Sequence, residues 1–422
     1  MLEQLTDEEF NTYAATHPNN TFFQSSYWGD LKEFTGWKKH LVGVKENGTI
    51  IGASLLLSKK IPILSKNMFY APRGFLIDYS NLDMVNQFTK AVAHYVKKNK
   101  GIFFKMNPNV SYQERDIDGN IVLDGIQNKE LVPYLKKIGY QHNGYTIHYG
   151  KDLEPRWISV LNIKNKTEEE ILNSFRSSHK RKVKKSLTGW LSLEEVTHDE
   201  IEKLDIFKQI MQHTGDRRGF IDRAEDYYKK MYDAFSKDNK IKIVLVKLDL
   251  EQYQSYLKHD LKELQEKIDK SSSLKESEQN DITEKMKNIE KNIQEVEELK
   301  KTNGNELYIT TGLFLLFGTQ ITYLFGGSYD QYMKYLGAYY MQWKMIEYAV
   351  ENKYETYNFY GITGEFDETS PMYGLFDFKR GFHANVVELV GEFTYVVNKT
   401  SYFIYNRMFD VYKKLKKWRL QK

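Results

Sequence analysis

The chain contains no cysteine, which removes disulfides, thiolate nucleophiles, cysteine-ligated zinc and iron–sulfur clusters together, and suits a reducing compartment. Long apolar runs are missing as well: stretches such as Leu313 to Phe317 fall far short of the roughly 18 residues a membrane-spanning helix needs. The opening MLEQLTDEEF places acids and polar residues where a secretory signal carries a basic stretch and an apolar core, so no export is predicted. A cytoplasmic location is expected, with any membrane contact peripheral at the inner face. Charge of one sign is scarce: 61 Lys+Arg against 57 Asp+Glu leave +4, so a basic function must be local. There is no Gly-x-Ser-x-Gly elbow, no His-Glu-x-x-His, no Walker Gly-Lys-Ser/Thr and no Gly-x-Gly-x-x-Gly after a strand. The ten histidines show no ligand spacing, and neither a metal nor a cofactor is predicted.

What is present is an ordinary globular composition of 41% apolar and 28% charged residues, over a length of 422 that predicts two or three units. In the first 150 residues Leu41 to Val44, Ile50 to Leu57 and Met68 to Ile77 read as strands, Asn81 to Lys98 as a helix and Ile102 to Met106 as the following strand. The order recurs later with Ile241 to Leu248, Leu307 to Phe317 and Ile321 to Phe325 as strands, Tyr335 to Glu351 as a helix and Thr356 to Tyr360 as a strand. Each half closes on a Lys-x-Gly-aromatic, Lys137-Ile138-Gly139-Tyr140 and Lys379-Arg380-Gly381-Phe382, with the glycine read as a left-handed helix cap. Internal duplication is the working reading; shared punctuation by chance is its alternative.

A segment at 251–302, dense in Lys, Glu and Gln, interrupts the second half. Leu257, Leu261, Leu264 and Ile268 form one stripe and Met286, Ile289, Ile293 and Val296 another, separated by the polar stretch Ser271 to Asn280, which predicts two antiparallel helices that project from the body. It reads either as a solvated insertion or as a docking arm for RNA or protein. At the C-terminus Tyr405, Phe409, Tyr412 and Leu415 sit at helical spacing ahead of Lys413, Lys414, Lys416, Lys417 and Arg419, a basic amphipathic helix suited to anionic lipid or to packing on the body.

Two basic constellations stand out. The run Arg176 to Lys185 closes a helix opened by Thr167 with Glu170 three residues on. Acids leading and bases ending suit the helix dipole, yet the density around Lys180, Arg181 and Lys184 also matches a phosphate-rich partner. The loop Gly215 to Arg223 interleaves Arg217, Arg218 and Arg223 with Asp216 and Asp222; it reads as a phosphate or carboxylate fork, or as a structural salt-bridge loop. By local context alone, Lys32 and Lys379 are surface lysines.

Gln24-Ser25-Ser26-Tyr27-Trp28, Phe69-Tyr70-Ala71-Pro72-Arg73-Gly74, Phe325-Gly326-Gly327-Ser328, Tyr339-Tyr340-Met341-Gln342-Trp343, Asn358-Phe359-Tyr360-Gly361 and Phe378-Lys379-Arg380-Gly381-Phe382, in this order, resemble the FemA/FemB/FemX family of peptidoglycan aminoacyltransferases. The resemblance covers nearly the whole chain, including the inserted arm. It implies an α/β fold of mixed sheets in two domains similar to the acetyltransferase GNAT fold: 1–150 as the first, 151–250 with 303–385 as the second, 251–302 as an antiparallel coiled-coil arm, and 386–422 packing back on the first. It also implies transfer of Gly, Ser or Ala from aminoacyl-tRNA to an amine on the stem peptide of a lipid-linked or UDP-linked peptidoglycan precursor. The protein then needs no cofactor beyond its co-substrate, and a homo- or heterodimer is compatible with the family.

By the same resemblance Lys32 and one of Arg217 and Arg218 hold the precursor's phosphates, and Tyr323 and Phe325 line its pocket. Phe378 and Lys379 face the aminoacyl ester, with Lys379 stabilising the developing oxyanion. Two departures follow: the sequence reads Lys105-Met106-Asn107-Pro108 where members often carry an Asp, which leaves the general base unassigned, and Phe325 stands where some carry a Tyr. The rivals are an acetyl-CoA-dependent N-acetyltransferase, for which Lys334 to Tyr339 fails the pyrophosphate-loop pattern, and a non-catalytic RNA- or lipid-binding adaptor. Changing Lys180, Arg181 and Lys184 together to Gln is expected to weaken binding to tRNA or to anionic vesicles, measured by filter binding and co-sedimentation; unchanged binding to both leaves the helix dipole as the explanation.

Overall fold

Side-chain caps start several of the helices. A computed structural model of the chain describes residues 2–62, 64–150, 152–270 and 275–420, with side chains described through 409. Strand β1 (Glu3–Gln4) leads to α1 (Asp7–Thr16), which opens on a capping box between Thr6 and Glu9. The Ser25 hydroxyl caps α2 (Ser26–Phe34). An antiparallel meander of β2 (Lys38–Glu46), β3 (Thr49–Ile61) and β4 (Lys66–Ala71) follows. Helix α3 (Leu82–Lys98), capped by Asn81, then crosses over so that β5 (Gly101–Met106) runs parallel to β4, a pairing no hairpin can make. Next come β6 (Ser111–Glu114), α4 (Leu131–Lys137), β7 (Tyr140–His142), β8 (Trp157–Asn162), α5 (Glu168–Ser174), α6 (Ser177–Ser186), β9 (Leu191–Glu195), α7 (Leu204–Arg218) and α8 (Glu225–Ser236).

The same wiring then recurs. Strand β10 (Ile241–Asp249) is followed by the helix pair α9 (Leu250–Lys270) and α10 (Glu276–Asn303), then by β11 (Glu306–Phe317) and β12 (Gln320–Ser328). Helix α11 (Gly337–Glu351) crosses over and β13 (Thr356–Ile362) returns parallel to β12. The chain ends with α12 (Tyr373–Arg380), β14 (Asn385–Leu389), β15 (Phe393–Val396) and α13 (Lys399–Leu420).

Two sheets result, ordered β1-β2-β3-β4-β5-β15-β7 and β6-β14-β8-β13-β12-β11-β10-β9. The strand that follows β7 in the chain, β8, lies in the second sheet between β13 and β14, and the strand that follows β14, β15, lies in the first between β5 and β7. The two halves thus exchange a strand, each filling the gap in the other's sheet. The sheets sandwich a shared core in which Phe10, Phe22, Phe23, Trp28 and Leu55 meet Phe207, Tyr228, Phe235, Leu245 and Leu313. The outer face of the first sheet is covered by α3 and α4, and that of the second by α5, α6 and α11.

Several elements differ from expectation. The strand expected over Met68 to Ile77 stops at Ala71, because the turn Pro72–Gly74 puts Arg73 (φ 58°) and Gly74 (φ 80°) in left-handed backbone; only Leu76 rejoins, as a single bridge to Ala53. The basic run does not end the helix opened by Thr167. Phe175 turns extended (ψ 149°) to bury its ring against Trp343 and Phe382, so α6 begins anew at Ser177 with no acid in its first turn. Gly215 to Arg218 are the last turn of α7 rather than a loop, with Gly219 (φ 73°) as the left-handed cap. Gly381 is no left-handed cap, since its φ is −62°; His383 takes the positive φ. The boundaries shift too: β6, within 1–150, pairs in the second sheet, and the boundary at 385/386 falls inside β14.

At 1.5 Å per residue α9 and α10 extend about 30 and about 40 Å. They run against each other through Leu257, Ile282 and Val296, tied by Gln254 to Glu297 (3.0 Å), while Tyr253 and Tyr256 near the start of α9 pack on Trp190. Residues 271–274 of the polar stretch lie outside the described residues, and its end, from Glu276, is already helical. In α13, Tyr402 and Tyr405 pack on Phe103 of the first sheet (5.1 and 5.2 Å); the side chains of Tyr412, Leu415 and the terminal lysines lie outside the described residues. Among the described residues no helix is long and apolar enough to cross a membrane. Phe393, fully buried in the exchanged β15, should cost about 3–5 kcal/mol as Phe393→Ala in urea unfolding; a loss below about 1 kcal/mol would mean that the exchanged strand carries little of the first sheet's stability.

Candidate active site at the parting of two parallel strands

Strands β12 and β13 pair at only three positions, Gln320 with Thr356, Ile321 with Tyr357 and Thr322 with Asn358. Just beyond, each strand bulges against its other neighbour, β12 at Leu324 and β13 at Phe359. Tyr360 then adopts left-handed backbone (φ 64°), held by its N–H donating to Asn358 Oδ1 (2.8 Å). With β12 no longer alongside, the carbonyls of Tyr360 and Gly361 accept from a side chain.

That side chain is Lys379. From the last turn of α12 its Nζ donates to Gly361 O (2.7 Å) and reaches Tyr360 O (3.4 Å), and the residue is 4% exposed. Among the described residues no carboxylate pairs with it, and burial pushes its ammonium down to about 7. The end of α12 is held by α6: Arg176 N–H donates to Gly381 O (3.0 Å), and His179 Nε2 lies 3.1 Å from Phe378 O. Burial pushes His179 down to about 4, so the ring is neutral and donates its Nε2–H to that carbonyl. Gly381 is required by this contact, because a Cβ there would lie 2.1 Å from the His179 ring. Phe378 packs on Tyr339 (5.3 Å) and Phe382 (5.2 Å), and Lys182 Nζ donates to the Tyr339 hydroxyl (3.1 Å). In α6, Arg181 and Lys184 are exposed and unpaired with any acid among the described residues; Lys180 bonds Asn173.

On the inter-sheet side the Tyr360 hydroxyl donates to Glu154 Oε2 (2.7 Å), and its ring stacks on Phe23 (6.1 Å). Arg73, 4% exposed, lies over Phe23 (5.5 Å) and donates to Pro155 O (3.0 Å); its N–H and the Tyr70 hydroxyl both donate to Asn107 Oδ1 (2.9 Å each). Asn107 therefore acts here as an acceptor that fixes the Arg73 turn. Lys105 instead pairs with the buried Glu392 (2.5 Å). Lys32 sits with Nζ over the Trp28 ring (4.3 Å); burial lowers its pKa, opposed by the Glu154 carboxylate and reinforced by Arg223.

The expected residues are thus brought together only in part. Lys379 reaches the carbonyls where β12 and β13 part, Phe378 precedes it on α12, and Lys32 feels the charge of Glu154, to which Tyr360 is hydrogen-bonded. Arg217 feels Arg218 and the Asp330 carboxylate, whereas Arg223 is felt by both Lys32 and Glu154, and Glu154 also feels Arg73. Tyr323 and Phe325, two apart, would share a face in a regular strand, but the Leu324 bulge separates them. Phe325 meets Tyr228 in the inter-sheet core (5.5 Å), and Tyr323 stacks on Phe314 (5.1 Å) on the outer face. Missed by sequence reasoning were Glu154, Arg73, Tyr360, Arg223 and His179. Arg73 and Tyr360 stood inside motifs noted for their order alone, and His179 and Arg223 stood within the two basic constellations; nothing around Glu154 marked it.

Residues 5–409 match the model of the FemAB family. Aminoacyltransferase FemB of Staphylococcus epidermidis is 30% identical over 98% of this chain and 99% of its own length, and aminoacyltransferase FemA of the same species is 31% identical over the same shares. Among solved structures the crystal structure of FemX superposes with a TM-score of 0.77 at 29% identity, covering 96% of this chain and 99% of its own.

A lysine whose pKa falls from 10.5 unfolded to about 7 folded binds fewer protons in the folded state between those values. Stability should therefore rise with pH across that interval. Lys379→Met is expected to abolish this slope and to be most stabilising, relative to the unaltered protein, below about pH 7. Urea unfolding at several pH values checks it; a slope that survives in Lys379→Met would show the lysine to be ionised normally.

Proposed function

The chain belongs to the FemAB family, and we propose that its chemistry takes place where β12 and β13 part, with the two substrates approaching from opposite faces of the second sheet. The enzyme is an aminoacyltransferase: it passes an amino acid from aminoacyl-tRNA to an amine on the stem peptide of a peptidoglycan precursor. The acceptor brings its own nucleophile. The protein must then position two reactants, remove protons and stabilise the tetrahedral oxyanion.

The observation that carries the reading is Lys379, a buried ammonium whose partners among the described residues are backbone carbonyls, at the opening between the strands. Negative charge forming on the ester carbonyl oxygen would find it the nearest cation. In a site that excludes water such a donor acts at full strength. Phe378, Tyr339 and the unpaired bases of α6, Arg181 and Lys184 with Lys180 beside them, form the outer side, suited to the tRNA end. Lys32 and Arg223 form the inter-sheet side, suited to the precursor's phosphates, with Phe325 nearby and Arg217 and Arg218 on the last turn of α7 leading into the same basic segment. Tyr323 lines the outer side. Each sheet with its crossover helix reads as a GNAT-like unit, the first built on 1–150 and closed by the C-terminal β15, the second on 151–250 with 303–385, and 251–302 as a coiled-coil arm.

The test is transfer of radiolabelled Gly, Ser or Ala from charged tRNA to a lipid-linked precursor, with RNase and acetyl-CoA controls. RNase-sensitive transfer is expected, and Lys379→Ala should lower the rate by about 10²–10³ with substrate binding largely kept. As Lys379 in the free enzyme loses its proton above about pH 7, kcat/KM should fall on the alkaline side and this limb should vanish in the variant. Label taken from acetyl-CoA and insensitive to RNase would overturn the reading.

A further inference from the structure

The inter-sheet side carries a carboxylate where a phosphate-binding surface should have none. Glu154, on the segment entering β8, is half-buried; the charged and titratable groups around it are Lys32 of α2, Arg73 of the turn after β4, Tyr70 of β4, Arg223 before α8, Tyr227 of α8 and Tyr360 of β13. Its Oε2 accepts from the Tyr360 hydroxyl at 2.7 Å, which fixes the carboxylate's position. The same Tyr360 offers its carbonyl to Lys379 Nζ at 3.4 Å. One residue, forced into left-handed backbone by the bulge, therefore spaces an anionic group and a cationic group across a single side chain.

A carboxylate beside Lys32 and Arg223 weakens the binding of any phosphate there, a cost that calls for a positive charge on the same ligand. The acceptor of this reaction has one, its ammonium. Resting on the aminoacyl-transfer reading above, we propose that Glu154 receives the acceptor's primary ammonium and is the base that deprotonates it. The ammonium gives one proton to Glu154, and the neutral amine so formed attacks the ester carbonyl, forming the C–N bond. The oxyanion faces Lys379. On collapse the C–O bond to the ribose breaks, the second proton of the nitrogen passes to the ribose oxygen, and Glu154 releases its proton to solvent. Burial raises the Glu154 pKa against the pull of Arg73, which moves the carboxylate closer to a base's working range. It also supplies an acid the sequence lacks at Asn107.

The experiment measures transfer from charged tRNA to precursor by full-length protein, as single-turnover rates and as kcat/KM from pH 5 to 9, for the unaltered enzyme, Glu154→Gln and Tyr360→Phe. Glu154→Gln should lose about 10²–10⁴ in rate and the acid-side limb of the profile, whereas Tyr360→Phe, which keeps the carboxylate, should lose less than about tenfold and keep the limb. If Glu154→Gln does not fold, Glu154→Asp carries the test: a base set back by one methylene loses rate but retains the limb, and an undiminished rate overturns the proposal. Equal losses in Glu154→Gln and Tyr360→Phe would overturn it as well, showing a carboxylate that only holds Tyr360. Rapid transfer by Glu154→Gln removes Glu154 alone; no transfer by the unaltered enzyme removes the function with it.

Discussion

Everything around the site depends on the reciprocal exchange of β8 and β15. A strand in the middle of a sheet is bonded along both edges, so each half of the chain is closed by a strand that the other half leads into. The two sheets cannot separate without breaking both ladders, and the inter-sheet core of Phe23, Trp28, Tyr228 and Leu313 is locked between them. Glu154 and Pro155 lie on the segment that carries the first crossing into β8. The exchange therefore sets the distance between the Arg73 turn of the first half and Tyr360 of the second.

The second constraint is local. Parallel β12 and β13 are held side by side for three residue pairs and then released by two bulges. Release leaves carbonyls unpaired in a buried place, a condition that costs free energy unless a donor fills it. Lys379 is that donor, and it carries a charge that burial disfavours at about 1.4 kcal/mol for each pKa unit it loses. Helix α6, docked through His179 and Arg176 onto Gly381, keeps the end of α12 from moving away.

Much of the fold was legible because short-range physics decides it. The meander, crossover helix and returning strand follow from apolar periodicity, and the capping box at Thr167 sets its helix's start. Errors arose where a tertiary contact overrode a local signal. Phe175 broke a helix to reach Trp343, and the glycine at 381 answered to the bulk of His179 rather than to its own φ. Arg217 and Arg223 are six apart in one basic segment, but α7 ends at Gly219 between them, so Arg217 stays on the helix and Arg223, beyond it, is the one whose charge Lys32 feels.

The sequence by itself determined the element order, the repeated wiring, the paired helices of 251–302 and, through six ordered motifs, the family and its reaction. Those are properties of neighbours along the chain, where spacing and residue type carry the information. Which strand closes which sheet, which side of the second sheet Tyr323 and Phe325 occupy, and the meeting of Glu154, Tyr360 and Lys379 were decided only by tertiary structure. They depend on bulges and crossings that bring together residues from 154, 360 and 379, and no local pattern encodes a contact between positions whose separation is bridged by another half of the molecule.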